Sequence, residues 1–202
     1  MPTPPPAATD RRTLLDRAGA GEVFDLIVVG GGATGLGTAV DAAARGFSTL
    51  LVEAEDFAKG TSSRATKLVH GGVRYLAQGN VALVREALRE RKLMLDNAPH
   101  LAQPLAFVVP AYGLAGRLLD LPFYGVGLSV YEALSGSERL GRVGLLGRRG
   151  ALAAAPGLEP AGLAGAIRYW DGQFDDARFA VALARTAIRA GGCVINHCRV
   201  VR

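Results

Sequence analysis

Three glycines of the chain have the spacing of a turn that binds the phosphates of a nucleotide. Gly30, Gly32 and Gly35 form the pattern G-x-G-x-x-G directly after the apolar run FDLIVV of residues 24–29. The first glycine permits a tight turn, the second lets a pyrophosphate approach the backbone, and the third lets a helix pack closely on a strand. Glu53 follows at the distance where an acid accepts hydrogen bonds from a ribose diol and repels a 2′-phosphate. Together these residues predict an adenine-dinucleotide site, with NAD and FAD both open.

The elements around this turn must place the glycines between a strand and a helix. The apolar run before the turn predicts a buried parallel strand, residues 34–45 a helix that ends near Gly46, and residues 48–52 a second strand. Strand, turn, helix and strand within about thirty residues form a β-α-β unit. Two further helices and a strand are predicted at residues 81–96, 175–190 and 193–196. The predicted fold class is therefore α/β: a Rossmann-like FAD/NAD(P)-binding fold with a parallel sheet, incomplete, plus the start of an α+β substrate domain.

The middle of the chain gives weaker signals. Prolines interrupt it at Pro99, Pro104, Pro110 and Pro122, and there we predict short strands and turns. The charged residues of the helix at 81–96 are expected on a solvated face; they are Arg85, Glu86, Arg89, Glu90 and Arg91. Residues 105–131 are apolar apart from Arg117 and Asp120, and a lipid-facing surface, a protein core and a subunit interface are the alternatives for this stretch.

Composition excludes several classes of protein. With 202 residues, 50% of them hydrophobic, the chain can build a core, so disorder of the whole chain is excluded. A net charge of +5 permits an anionic ligand without choosing one, and we expect no nucleic-acid partner. Residues 1–20 begin Pro-rich and polar and are expected to be a disordered leader. The uncharged run at 26–40 is interrupted by glycines and is shorter than the about 20 residues that span a membrane. Cys193, His197 and Cys198 are too few for a metal centre or a disulfide framework, so we expect no metal and a reduced, cytoplasmic setting.

Three blocks in order carry a family resemblance. They are EAEDFAKG at residues 53–60, GTSSRATKLVHGGVRYL at 60–76 and YWDGQFDDARF at 169–179. From about residue 25 to residue 201 the chain resembles the FAD-dependent glycerol-3-phosphate dehydrogenase family, among the flavoproteins related to D-amino-acid oxidase. The resemblance implies FAD as cofactor and oxidation of sn-glycerol 3-phosphate to dihydroxyacetone phosphate. It also implies that electrons pass to a membrane quinone, or to oxygen in oxidase relatives.

The resemblance also assigns roles to residues. The FAD pyrophosphate and ribose contacts are Gly30, Gly31, Gly32, Ala33, Thr34, Gly35, Glu53 and Ala54. The loop beside the ribityl chain and the flavin ring contains Thr61, Ser62, Ser63, Thr66, Lys67 and Leu68. Arg74 and Tyr75 match residues at the substrate phosphate, where a guanidinium fork and a phenol suit a phosphate dianion. A surface salt bridge is the alternative for Arg74.

His70, directly before Gly71 and Gly72, is the candidate catalytic residue. Its imidazole could move a proton, tune the flavin or satisfy a local backbone bond. The general base and the other active-site groups of the family are expected past Arg202, so the chain resembles the N-terminal portion of a longer enzyme. Two other functions stay open: a flavin oxidase of an amine or 2-hydroxy acid, with Arg74 on the carboxylate, and a truncated flavin-binding remnant without activity.

Four segments are predicted along the chain. After the leader, residues 21–79 form the N-terminal part of the FAD-binding domain, 80–170 a helix and an irregular substrate-side segment, and 171–202 a helix and strand that return to the FAD-binding domain. Glycerol 3-phosphate and the quinone are the partners that the resemblance implies. It leaves open a homodimer and a peripheral contact with the inner face of the cell membrane.

Overall fold

The computed structural model describes residues 9–201, except for the side chain of Arg74. The chain divides into two compact units: a first unit with the residues up to Lys67 and those from Asp175 onward, and a second unit, Leu68–Phe174. The predicted segments change after residues 79 and 170, whereas the two units change after Lys67 and after Phe174. The first boundary lies at Lys67 because the strand that begins at Leu68 pairs with another strand of the second unit.

In chain order the helices are α1 (Arg11–Gly19), α2 (Ala33–Ala44), α3 (Val73–Ala77), α4 (Val81–Asn97), α5 (Gly113–Ala115), α6 (Leu121–Ser135), α7 (Arg148–Ala154) and α8 (Asp176–Arg189). The strands are β1 (Leu26–Val29), β2 (Thr49–Val52), β3 (Leu68–Val69), β4 (Ala102–Tyr112), β5 (Gly144–Gly147), β6 (Leu163–Phe174) and β7 (Cys193–Ile195). Short 3-10 turns occupy Thr61–Ser63 and Gly136–Glu138, and a π turn occupies Gly116–Asp120.

The first unit is built on a parallel sheet in the order β1-β2-β7. Helix α2 connects β1 to β2, which confirms the predicted β-α-β unit. Helices α2 and α8 bury one face of the sheet, where Leu36 and Ala184 pack with Leu51 and Val194. The small alanines of both helices allow this close packing, and it fixes the start of α2 at the end of β1.

Helix α1 corrects the prediction of a disordered leader between Arg11 and Gly19. The Asp10 carboxylate caps the helix by accepting a hydrogen bond from Thr13 N at 2.9 Å. Leu14 is buried on the second face of the sheet with Leu50 and Cys193. Local capping and one buried leucine therefore outweigh the polar composition of this stretch, while residues 1–8 lie outside the described residues.

Strand β1 is parallel as predicted, but it is not fully buried. Ile27 and Val29 are 58% and 68% exposed, whereas Val28 packs against α2. Because side chains alternate along a strand, Ile27 and Val29 point to the face on which α1 covers β2 and β7. Within the described residues β1 is an edge strand, so these two side chains stay uncovered.

The second unit is an antiparallel sheet around β6, with β4 on one side and β3 and β5 on the other. The short strands predicted from the prolines are wrong, because β4 runs unbroken through Pro104 and Pro110. Proline is tolerated there since β4 lies at an edge of the sheet and needs no donor on its outer side. Pro122 lies in the first turn of α6, where its missing N–H removes no helical bond.

Candidate functional site

The glycine turn of the first unit joins the end of β1 to the start of α2. Gly30 has φ +111°, a backbone conformation that L side chains rarely adopt. A Cβ added to Gly35 would lie 2.0 Å from the carbonyl oxygen of Gly30, so no larger residue fits this crossing of helix and strand. The structure thus places both glycines where the sequence pattern needs them.

The N-terminus of α2 presents backbone amides at this turn. Gly32 is the cap residue, and the first hydrogen bond within the helix runs from Leu36 N to Gly32 O at 2.9 Å. The N–H groups before Leu36 therefore have no helical acceptor, and Ala33 and Thr34 are exposed. The hydroxyl of Ser62 accepts a hydrogen bond from Ala33 N at 2.9 Å, so an oxygen already occupies this partly positive end of the helix.

Glu53, at the end of β2, is hydrogen-bonded to the glycine turn. Its Oε2 accepts from Gly31 N at 2.6 Å and its Oε1 from Glu55 N at 2.8 Å. Gly31 has little room for a side chain, because an added Cβ would lie 2.9 Å from Glu53 Cβ. Ala54 follows and is half-buried. The predicted acid and the predicted pyrophosphate turn are thus one connected structure.

The polar loop at residues 61–67 returns toward α8 within the first unit. Thr61 and Thr66 are exposed, and Lys67 donates to the backbone carbonyl of Ser63 at 3.0 Å. Lys67 also forms an ion pair with the buried carboxylate of Asp176, which lowers the pKa of that carboxyl below its usual value. Sequence reasoning missed Asp176, although it lies in the block YWDGQFDDARF.

The remaining predicted site residues belong to the second unit. Leu68 lies in β3 and pairs with Gln173, and Tyr75 is exposed on α3. His70 Nδ1 accepts a hydrogen bond from Gly72 N at 3.2 Å. In a neutral imidazole that accepts at Nδ1 the proton is on Nε2, so the free nitrogen of His70 is a donor. The backbone of Arg74 is helical, and its side chain lies outside the described part of the structure.

A buried polar cluster supports the Gly71–Gly72 backbone. Asp171 accepts hydrogen bonds from Arg91 Nη1 at 3.0 Å, Tyr131 OH at 3.0 Å and Gly71 N at 3.3 Å. Arg91, Tyr131 and Asp171 are all at most 2% exposed, so the prediction of a solvated face is wrong for Arg91. Burial, with the Asp171 charge next, raises the pKa of Tyr131. Helical periodicity could not reveal this cluster, since its members come from three distant segments.

The apolar stretch at 105–131 forms β4 and then a run of helix with an exposed face. Phe123, Val126 and Val130 follow at helical spacing on α6 and are 71%, 67% and 45% exposed. The exposed apolar residues just before them are Leu114, Leu118 and Leu119. Among the described residues no helix is both long and apolar enough to cross a membrane.

The cysteines do not form part of a metal centre in residues 9–201. No group of three or more His, Cys, Asp or Glu side chains there could hold a metal ion. Cys193 is buried, its Sγ lies 3.4 Å from Leu14 O, and burial raises the pKa of its thiol. Cys193 therefore acts as a small core residue.

The first unit has the features of one class of protein. A parallel sheet, a G-x-G-x-x-G turn into a helix and an acid at the end of the second strand define a dinucleotide-binding fold of the Rossmann type. The family described as FAD dependent oxidoreductase (DAO) matches residues 25–202, and the chain belongs to this family. This confirms the predicted family, fold class and cofactor at the family level.

Individual relatives agree with this assignment. The chain is 44% identical to the probable mitochondrial glycerol-3-phosphate dehydrogenase of Caenorhabditis elegans over 97% of its length, and 46% identical to the mitochondrial enzyme of Homo sapiens over 88%. The glycerol-3-phosphate dehydrogenase of Bacillus halodurans, solved with FAD, matches 96% of the chain with 30% identity and a TM-score of 0.67. The chain spans between 25% and 30% of the length of these three proteins.

Proposed function

We propose that the protein that carries this chain oxidises sn-glycerol 3-phosphate to dihydroxyacetone phosphate with FAD. The observation that carries the proposal is the connected site of the first unit, where Glu53 and the polar loop are each hydrogen-bonded to the glycine turn. The names of the relatives supply the substrate. An amine or 2-hydroxy-acid oxidase stays the alternative, and no contact described above favours it.

The residues of the first unit fit FAD. The glycine turn leaves backbone, and no side chain of its own, where a pyrophosphate would approach. The amide of Thr34, which has no acceptor within α2, would hold a phosphate oxygen beside the Ser62 hydroxyl that Ala33 N already binds. Glu53 has lone pairs left for a ribose diol after it binds Gly31 and Glu55. The hydroxyls of Thr61, Ser62, Ser63 and Thr66 would lie along the ribityl chain. The chemistry that FAD supplies when bound is acceptance of a hydride from the carbinol carbon.

Residues of the second unit would hold the substrate. Arg74 and Tyr75 are adjacent on α3, and a guanidinium and a phenol together bind a phosphate dianion. With Nδ1 bound to Gly72 N, the Nε2 atom of His70 would orient a substrate oxygen. We assign no general base within the chain.

The substrate assignment is tested by dye-linked oxidation assays on the protein purified as its gene encodes it. Glycerol 3-phosphate should reduce the dye, and glycerol and amino acids should not. Arg74→Ala should raise the KM for glycerol 3-phosphate by about 10-fold or more. The control is Arg45→Ala, which removes an exposed cation that pairs only with Asp41 among the described residues. An Arg74→Ala protein with an unchanged KM contradicts the phosphate contact.

We also propose a membrane quinone as the electron acceptor, with the α6 face as the contact with the inner face of the cell membrane. The support is the exposure of Phe123, Val126 and Val130, which would place aromatic and aliphatic groups in the lipid interface. Phe123→Glu should abolish sedimentation with vesicles, whereas Leu145→Glu, at an exposed apolar residue of β5, should not. A Phe123→Glu variant that still binds vesicles contradicts the contact, and a doubled mass in solution would assign the face to a homodimer instead.

A further inference from the structure

Asp176 has a buried carboxylate that helix α8 does not need for its cap. The cap residue of α8 is Asp175, whose side chain accepts a hydrogen bond from Arg178 N at 3.0 Å. The side chain of Asp176 is only 2% exposed, and a buried carboxylate is stable only when its oxygens are hydrogen-bonded or paired. Its partners therefore show what the residue does.

Two of these partners lie in the polar loop at residues 61–67, and the third is Ala177 N of α8 itself, which donates to Asp176 Oδ1 at 2.8 Å. Asp176 Oδ2 accepts a hydrogen bond from Ala65 N at 3.1 Å, and Oδ1 pairs with the Lys67 ammonium. Lys67 in turn donates to Ser63 O at 3.0 Å. The carboxylate thus holds the loop directly at Ala65 and Lys67, and through Lys67 it also fixes Ser63, in a segment that has no strand or long helix of its own.

The loop conformation needs such support. Lys67 has φ +62°, a left-handed conformation that a non-glycine residue keeps only when its surroundings hold it. The other end of the loop reaches the glycine turn through the bond between Ser62 Oγ and Ala33 N. Asp176 is therefore linked through the loop to the N-terminus of α2, where the pyrophosphate would bind.

We propose that Asp176 is a positioning residue for the cofactor. Its carboxylate holds the loop so that the hydroxyls of Thr61, Ser62 and Ser63 line the FAD site, and Lys67 braces the loop through Asp176 without touching the flavin. The inference rests on the proposed binding of FAD and adds to it a residue that contacts neither cofactor nor substrate.

A matched pair of neighbouring variants tests the proposal. Asp176→Asn should raise the Kd for FAD by about 10-fold or more, measured by flavin fluorescence titration of the protein purified as its gene encodes it. Asp175→Asn is the isosteric control, because asparagine caps a helix about as well as aspartate, and it should leave the Kd within about twofold. Equal Kd values for Asp176→Asn and the wild type would overturn the proposal.

A double-mutant cycle separates bracing from direct contact. Lys67→Met should weaken FAD binding about as much as Asp176→Asn, and the double variant should lose no more than either single variant. If Lys67 touched the flavin itself, its replacement would weaken binding in the Asp176→Asn background as well. Additive losses therefore overturn the bracing role of Lys67.

Trypsin cleavage without FAD tests the brace independently of the cofactor. Asp176→Asn should speed cleavage after Arg64, and Asp175→Asn should not. If the wild-type protein, purified as its gene encodes it, binds no FAD, the proposed function fails and the positioning role fails with it. If the wild type binds FAD and Asp176→Asn binds it equally well, only the positioning role fails.

Discussion

The carboxylate of Glu53 accepts a hydrogen bond from the backbone N–H of Gly31 at 2.6 Å, so the acid after the second strand and the glycine turn after the first strand are one structure. The same carboxylate accepts from Glu55 N at 2.8 Å. Glu53 therefore fixes the turn, and in the proposed function it also receives the ribose.

Replacing Glu53 should affect both the stability of the glycine turn and the binding of FAD. Glu53→Gln removes the charge from two hydrogen bonds that are each worth about 1.5–3 kcal/mol, and should lower the free energy of unfolding by about 1–2 kcal/mol and weaken FAD binding about 10-fold. Urea unfolding and flavin titration measure the two effects. Glu55→Gln, at an exposed carboxylate paired with Lys59, should change neither by much, and equal effects of both variants contradict the role of Glu53.

Two glycines of α2 should respond in opposite ways to alanine. Gly35→Ala places a Cβ 2.0 Å from Gly30 O, so it should abolish FAD binding and destabilise the first unit. Gly37→Ala meets nothing within 4 Å and should stabilise the helix by about 1 kcal/mol. Thermal unfolding and FAD titration distinguish them, and a Gly35→Ala chain that folds and binds FAD normally contradicts the close crossing.

Breaking the buried ion pair should be far more costly than breaking a surface pair. Asp171→Asn leaves the Arg91 charge without its counter-ion at 1% exposure and should cost about 3–5 kcal/mol of unfolding free energy. Asp41→Asn, which breaks the exposed pair with Arg45, should cost at most about 1 kcal/mol. Similar losses in urea unfolding for the two variants would show that Arg91 and Asp171 are solvated.

The contribution of Tyr131 should depend on pH in the alkaline range. The raised pKa of the folded tyrosine means that its stabilisation is complete below pH 10.0, its ordinary value, and is lost as the pH rises above it. Tyr131→Phe should cost about 1–3 kcal/mol at neutral pH, because Asp171 Oδ2 loses its partner. The difference in stability between wild type and Tyr131→Phe should shrink above pH 10, and a constant difference contradicts the assignment.

Local patterns in the sequence predicted the first unit well. Three glycines, two apolar runs and one acid set its β-α-β unit, and the helix predicted at residues 175–190 is found as α8, with Asp175 as its cap. Such signals lie within a few residues of the structure they produce, so they can be seen without knowledge of the fold.

Long-range contacts were beyond the reach of sequence patterns. Asp176 and Lys67 are 109 positions apart, and Arg91 and Asp171 are 80 apart, so only the folded chain brings each pair together. Pro104 and Pro110 led to a wrong prediction for a related reason. A strand tolerates proline when it lies at the edge of a sheet, and the position of β4 at the edge is not visible in the sequence.

The most direct test of the central claim is whether the chain takes up FAD. Incubation with excess FAD followed by gel filtration should yield a yellow protein with one flavin per chain, and Gly35→Ala should elute without flavin. A wild-type chain that folds, as shown by circular dichroism, but elutes colourless would contradict binding of FAD at the glycine turn.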